Sequence, residues 1–254
     1  LHIIVAPAAG GAEVYVKDLV LNSAKVGITP VLLFIARAKE IGRCEVFEKE
    51  FLNELTEKGV EFAFLPKGSK RNVVKGALAL NKLLKLIKPD VVHSHLLTGV
   101  VHKLLSLSKI PLIYTHHSSV IVTNDRLFSL LLNLCDGFIG ISEVCSSILQ
   151  KYLTANKKVM TIFNAVDEKR LVFSEKKSLD QNQINLLAVG QLSTPKNYPL
   201  MLNVIKELKE ITNKKFHLNI AGEGVKKNEL IELVRFLDVD DVTTFLGNRN
   251  DIPQ

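Results

Sequence analysis

The chain contains no tryptophan, and Phe and Tyr together supply only 6 % of its residues. Single-stranded nucleic acid is held on aromatic platforms interleaved with basic side chains. No such interleaving occurs here, so nucleic acid is set aside as a partner despite a formal net charge of +7. Cysteine is equally scarce: Cys44, Cys135 and Cys145 are widely spaced and form no Cys-x-x-Cys pair. That excludes a disulfide framework and a zinc knuckle, and it fits a reducing cytoplasm. No apolar run reaches the length of a membrane span, the longest candidate, residues 127–141, being broken by Asn133 and Asp136. The opening Leu-His-Ile-Ile-Val-Ala-Pro lacks a basic leader and reads as a first buried strand, so the expectation is a soluble protein.

Acidic residues are missing from one stretch in particular. Between Lys67 and Lys88 the chain places Lys67, Lys70, Arg71, Lys75, Lys82, Lys85 and Lys88 with no Asp or Glu among them. Residues 1–165 hold 20 basic against 13 acidic residues and residues 166–254 hold 13 of each, so the whole excess of 7 belongs to the first part. The simplest reading is a solvated helix face. The sharper one is peripheral contact with an anionic membrane or a phosphate-bearing acceptor, since each basic residue near such a surface contributes about 1 kcal/mol.

What the chain does have is material for cores, at 47 % hydrophobic content over 254 residues, and a regular alternation of short apolar runs with helical periodicity. That pattern predicts parallel sheets covered by helices. Strands are expected at 2–6, 30–36, 60–65, 90–94, 111–115, 137–141 and 158–163, with helices near 12–26, 45–58, 72–88, 97–107, 125–134 and 143–153. These make a first Rossmann-like domain over 1–165. A polar run through Glu175, Lys176, Lys177, Asp180, Gln181, Asn182 and Gln183 reads as a linker over 166–183. A second series follows over 184–254: strand 184–189, helix 198–211, strand 216–221, helix 225–237 and strand 242–246. The fold class expected is α/β, two doubly wound domains, the second holding three strands where five or six are usual.

The richest stretch is Leu-Leu-Ala-Val-Gly-Gln-Leu-Ser-Thr-Pro-Lys-Asn, residues 186–197. The apolar run 184–189 suits a strand covered on both faces, Gly190 permits a tight turn, and Lys196 stands beside the start of the next helix, where free N–H groups and the helix dipole favour an anion. A second turn, Ala221-Gly222-Glu223-Gly224, follows the next strand, and two such turns side by side suit a nucleoside diphosphate. In the first domain Gly10-Gly11-Ala12-Glu13 opens the first helix; alone it is a tight turn or a weak phosphate signal. His95 and His117 each follow a strand, and ligand sites of open α/β sheets lie at those carboxyl ends. His93 reads as structural, and no set of metal ligands at suitable spacing is apparent. Asp238, Asp240 and Asp241 fall in a helix-to-strand connection where Asp makes local turn bonds, and Ser142 reads as a helix N-cap followed by Glu143.

Taken in order, Gly10-Gly11-Ala12-Glu13, Pro89-Asp90-Val91-Val92-His93-Ser94-His95, Thr115-His116-His117, Gly140-Ile141-Ser142-Glu143, Asn164-Ala165-Val166-Asp167, Val189-Gly190-Gln191-Leu192 with Lys196-Asn197, and Ala221-Gly222-Glu223-Gly224 resemble the retaining glycosyltransferases of family four. These are bacterial enzymes of capsule, lipopolysaccharide and exopolysaccharide assembly, and the resemblance runs through essentially the whole chain. It implies a glycosyltransferase B fold in which the first domain takes a glycan or lipid-linked acceptor and the second a nucleotide-diphosphate sugar, with no divalent metal and no cofactor beyond that co-substrate. Lys196 would neutralise the donor diphosphate and Gly11 would approach it from the first domain. Gly10, Gly190, Gln191, Gly222 and Gly224 would border the donor, and His117 would lie beside the transferred sugar. His95 and Glu13 fall on the acceptor side.

Two departures accompany the resemblance. Gln191 stands where the family usually has Arg, which removes one cation. Family members also continue past the segment 247–253 into a loop with two glutamates, one eight positions after the other, and a final helix; the expectation is therefore a C-terminally incomplete chain. Two further readings stay open: a non-catalytic acceptor-binding or assembly module of the same fold, and a nucleotide-sugar epimerase.

Overall fold

The computed structural model describes residues 1–118, 125–167 and 183–249, in two compact units, Leu1–Asp167 and Glu168–Gln254. The polar run read as a linker lies almost entirely outside the described residues.

In the first unit, short apolar runs form seven strands: β1 (His2–Ile4), β2 (Val31–Phe34), β3 (Glu61–Phe64), β4 (Val92–Ser94), β5 (Leu112–His116), β6 (Gly137–Gly140) and β7 (Met160–Thr161). Helices α1 (Gly11–Ser23), α2 (Glu45–Glu57), α3 (Val73–Ile87), α4 (Leu97–Leu105), α5 (Asp125–Asn133) and α6 (Glu143–Tyr152) alternate with them. The sheet order is β3-β2-β1-β4-β5-β6-β7 and all its pairings are parallel. The order reverses between β1 and β4, and the carboxyl ends of those strands are where ligands of such sheets bind.

Helices cover both faces of this sheet. Successive strand residues point to opposite faces, so Ile3 joins a core with Leu33, Leu80, Val92, Leu112 and Phe138, while Ile4 joins Val16, Val20, Leu32, Phe34 and Phe51 on the other side. Two helix starts carry side-chain caps. Asn72 Oδ1 accepts from Lys75 N at 3.0 Å, and Ser142 Oγ accepts from Cys145 N at 3.2 Å, which is the N-cap expected for Ser142. The predicted elements are present, trimmed at their ends where strands leave the hydrogen-bonded ladder: the strand expected at 158–163 is paired only over Met160–Thr161.

In the second unit β8 (Gln183–Val189), β9 (Lys215–Ala221) and β10 (Thr243–Gly247) make a parallel sheet ordered β10-β9-β8, with α7 (Tyr198–Ile211) and α8 (Lys227–Phe236) between them. Leu192, Tyr198, Leu202, Ile205, Leu218, Ile220, Leu230 and Val234 form its core. One expectation is corrected here. The apolar run 184–189 is not covered on both faces: Leu186 and Ala188 pack toward the core, while Leu187 and Val189 are more than half exposed. Among the described residues β8 is an edge strand, so hydrophobicity alone overstated its burial. Asp238 and Asp241 lie in the helix-to-strand connection and bind Lys209, whose Nζ donates to Asp238 O at 2.7 Å and to Asp241 Oδ1 at 2.8 Å.

Candidate functional site

The predicted site residues fall into two separate groups, one in each unit. In the first, parallel pairing sets His2 of β1 opposite His93 of β4. Alternation then puts His93 and His95 on one face and Ser94 on the other. His117 follows β5 on that same face. The result is a packed cluster of imidazoles. His2 Nδ1 lies 3.1 Å from His95 Nε2, His95 Nδ1 lies 3.0 Å from His117 Nε2, and His93 Nε2 lies 2.6 Å from Thr115 Oγ1. The His93 and His95 rings are 4.2 Å apart between centroids, and Tyr15, on the first turns of α1, sits 5.8 Å from the His117 ring.

Burial decides the protonation of this cluster. It pushes His2 down to about 3 and His117 and His93 down to about 4, with neighbouring imidazoles adding to the effect, and it holds His95 well below the ordinary range. All four rings are neutral at pH 7. His117 Nδ1 is buried and has no hydrogen-bond partner among the described residues, a position that costs about 1–3 kcal/mol unless a ligand supplies one. One nitrogen from each of His2, His93 and His95 also falls within 4.8 Å of the others, a spacing compatible with a metal ion. Sequence reasoning misses His2, because nothing in its own neighbourhood marks it. The usable signal is its alternation with Ile3 in a strand that the sheet order puts next to β4.

The turn before α1 is built around Glu13. A side-chain carbon added at Gly10 would meet Glu13 Oε2 at 2.0 Å, whereas one added at Gly11 meets nothing within 4 Å. A side chain at Gly10 would displace the folded-back Glu13 carboxylate, whereas Gly11 faces open space. The Glu13 carboxyl is pushed up by burial, against which a bond to its own backbone N–H and the charge of Arg43 act in the opposite sense. His116, by contrast, lies on the other face, its Nδ1 3.0 Å from the Tyr114 hydroxyl.

In the second unit the two glycine turns are laced together. Gly190 N donates to Ala221 O and Leu192 N to Glu223 O, both at 3.0 Å, and Gly222 N donates to Gly247 O at 2.7 Å. An added carbon would fall 1.9 Å from Gly190 O at Gly222, whose φ is +154°, and 2.2 Å from Leu192 O at Gly224. These glycines are needed for backbone to pass against backbone. Gly222→Ala is accordingly expected to lower the stability of this unit by about 2–4 kcal/mol, combining strain with overpacking, as read by urea denaturation; an unchanged midpoint would refute the close approach. Tyr198 OH donates to Gly190 O at 2.9 Å, tying the turn to α7.

Lys196 closes a single 3-10 turn, Thr194–Lys196, and Asn197 in the left-handed region (φ +49°) leads directly into α7. Its Cδ and Cε lie 3.9 and 3.8 Å from the position of a side-chain carbon at Gly190. The lysine stem thus runs beside the bare turn, and its exposed ammonium has no ion-pair partner among the described residues. Gln191 is half-buried.

Two parallel α/β units, one with glycines and histidines at its strand ends and one with a lysine beside a glycine turn, define the class of glycosyltransferase B folds. Solved structures agree at the level of fold. Anabaena HepE in complex with UDP and glucose has a TM-score of 0.78 at 17 % identity, over 99 % of this chain and 70 % of that one. Sucrose-phosphate synthase of Thermosynechococcus elongatus has a TM-score of 0.74 at 14 % identity, over 98 % and 70 %. The Glycosyltransferase Family 4 model matches residues 9–170, and the Glycosyl transferases group 1 model matches residues 169–254. The chain belongs to glycosyltransferase family 4. A curated relative from Campylobacter jejuni, N-acetylgalactosamine-N,N'-diacetylbacillosaminyl-diphospho-undecaprenol 4-alpha-N-acetylgalactosaminyltransferase, is 29 % identical over 131 residues; that alignment spans 51 % of this chain and 35 % of the relative's length.

Proposed function

We propose that the protein carrying this chain transfers a sugar, with retention, from a nucleotide-diphosphate donor to a glycan or lipid-linked acceptor in cell-surface polysaccharide synthesis. The observation that carries this reading is Lys196, a cation without an ion-pair partner among the described residues, beside the bare turn at Gly190 and the start of α7. As the bond between sugar and diphosphate breaks, negative charge grows on the leaving phosphate. A fixed ammonium there stabilises the transition state more than the ground state. Gly190, Gln191, Gly222 and Gly224 complete the donor contacts of the second unit. In the first unit Gly10 and Gly11 serve the donor, His117 offers its unpartnered Nδ1 to a hydroxyl of the transferred sugar, and His95 and Glu13 lie on the acceptor side. Neither a metal nor a separate cofactor enters this reading.

The relative's name, with its diphospho-undecaprenol substrate, supports a lipid-linked acceptor, and the UDP in the HepE structure supports a uridine donor. The test is incubation with nucleotide sugars and a polyprenyl-diphosphate glycan. Acceptor-dependent release of nucleoside diphosphate supports the transferase. Binding of nucleoside diphosphate without turnover favours the non-catalytic module, in keeping with the cation missing at Gln191, and product formed without acceptor favours an epimerase.

The acid-free stretch belongs to the same reading. Lys67, Lys70, Arg71, Lys75, Lys82, Lys85 and Lys88 are all exposed, and none forms a salt bridge with a described residue. On α3 the apolar Val74 and Leu78, 60 % and 63 % exposed, share a stripe with Lys82 and Lys85. A helix that combines exposed apolar and basic residues suits the headgroup region of an anionic bilayer, which gives a cytoplasmic protein peripheral to the inner face of the cell membrane. No helix among the described residues is long and apolar enough to cross one. Replacing Arg71, Lys82 and Lys85 by serine is expected to weaken binding to vesicles of anionic phospholipid about a hundredfold, measured by co-flotation. Equal binding by the variant would count against membrane contact.

A further inference from the structure

We infer that the hydrogen-bonded chain His2–His95–His117 couples the tautomer of His117 to those of His95 and His2, so that the form of its Nδ1, donor or acceptor, that His117 presents to the ligand depends on both, which makes His2 and His95 positioning residues for His117. The inference rests on the proposed function for the identity of that ligand, a sugar hydroxyl, but its structural part does not.

A neutral imidazole carries one N–H and one lone pair. The gaps of 3.1 Å between His2 Nδ1 and His95 Nε2, and of 3.0 Å between His95 Nδ1 and His117 Nε2, each have room for a single proton. Two N–H groups would collide there and two lone pairs would repel. One ring's tautomer therefore dictates the next. Either all three carry the proton on Nδ1, and His117 Nδ1 donates to the ligand, or all three carry it on Nε2, and His117 Nδ1 accepts from it. The chain ends at His117 Nδ1, which is buried and has no partner among the described residues. A sugar hydroxyl can satisfy it in either register, though only with the matching orientation.

Neighbouring groups hold the rings in place. His93, fastened to Thr115 Oγ1, packs 4.2 Å from His95, and Tyr15 flanks His117 at 5.8 Å. Burial keeps His2, His95 and His117 neutral, as the chain requires, since a doubly protonated ring would break the register. The competing use of the same atoms is a metal ion among His2, His93 and His95. A metal that drew on the lone pair of His2 Nδ1 and of His95 Nε2 would remove the shared proton.

The test is nuclear magnetic resonance of the full chain with isotopically labelled histidine side chains, which reads the tautomer of each ring without any activity. The expected result is one common tautomer at His2, His95 and His117. His2→Leu, which leaves every atom touching His117 in place, should change the tautomer ratio at His117. His2→Asn returns a donor or acceptor near the position of Nδ1 and should move that ratio back toward that of the unaltered chain. In transfer assays His2→Leu should lower kcat/KM by up to about tenfold, the scale of one misdirected hydrogen bond, with His2→Asn recovering most of it. Different tautomers at His95 and His117, an unaltered His117 in His2→Leu, or stoichiometric metal in the purified protein would each overturn the inference. Coupled tautomers in a protein that transfers no sugar would instead refute the proposed function and leave the chain of protons standing.

Discussion

Replacing Lys196 by alanine is expected to lower kcat/KM for sugar transfer by about two to three orders of magnitude, the range seen when one preorganised partner of a developing anion is removed. Stability should hardly change. The ammonium is exposed and has no ion-pair partner among the described residues, while the neighbouring backbone is held by Tyr198 OH on Gly190 O and by the bonds between the two glycine turns. The loss should fall mainly on kcat, since the charge it offsets is largest in the transition state. Lys196→Arg keeps the charge but changes its reach, and should retain more activity than alanine. Donor titration and steady-state kinetics on both variants separate these cases. Full activity in Lys196→Ala would remove the central residue of the proposed function.

Acidification from pH 7 to about pH 5 is expected to cost the first unit most of its stability. The unfolded chain binds protons at its histidines near the ordinary value of 6.5, whereas the folded unit holds His2 near 3 and His93 and His117 near 4, with His95 well below 6.5 as well. Folded-state values are therefore depressed. The stabilisation they represent is complete above pH 6.5 and is lost as the pH falls toward 4. At pH 5 each ring that stays neutral in the folded state contributes a loss of about 2 kcal/mol. Three such rings, with His95 acting in the same sense, amount to a large part of the 5–15 kcal/mol that holds a typical domain together. Glu13, pushed up by burial, acts in the opposite direction but is one group against four. Urea denaturation at stepped pH checks this. A midpoint that stays level from pH 7 to pH 5 would mean that the histidines are not held neutral by burial.

Both expectations draw on residues that were unequally visible in the sequence. Lys196 was legible because its surroundings are local: a strand, a glycine, a proline-containing turn and a helix starting at Tyr198 follow within a dozen residues, and α7 spans the predicted 198–211. Gly10 and Gly11 were found together, yet only the folded turn separates their roles, one filled by Glu13 and one facing open space. The exposure of Leu187 and Val189 was misread because an apolar run records what a strand can bury, not which neighbours cover it. His95 and His117 were identified by their places after strands, while His2 was not, since its significance lies in residues more than ninety positions away.

By itself the sequence determined the alternation of elements, the parallel α/β class, the glycine turns and the cation beside one of them, since periodicity, turn chemistry and helix starts are written in consecutive residues. Tertiary structure decided the rest. Strand order put β1 beside β4 and β4 beside β5, and register then turned three separate imidazoles into one hydrogen-bonded chain. The reason is physical: a proton is shared only where two nitrogens come within about 3 Å, and that distance is set by packing across strands rather than by spacing along the chain.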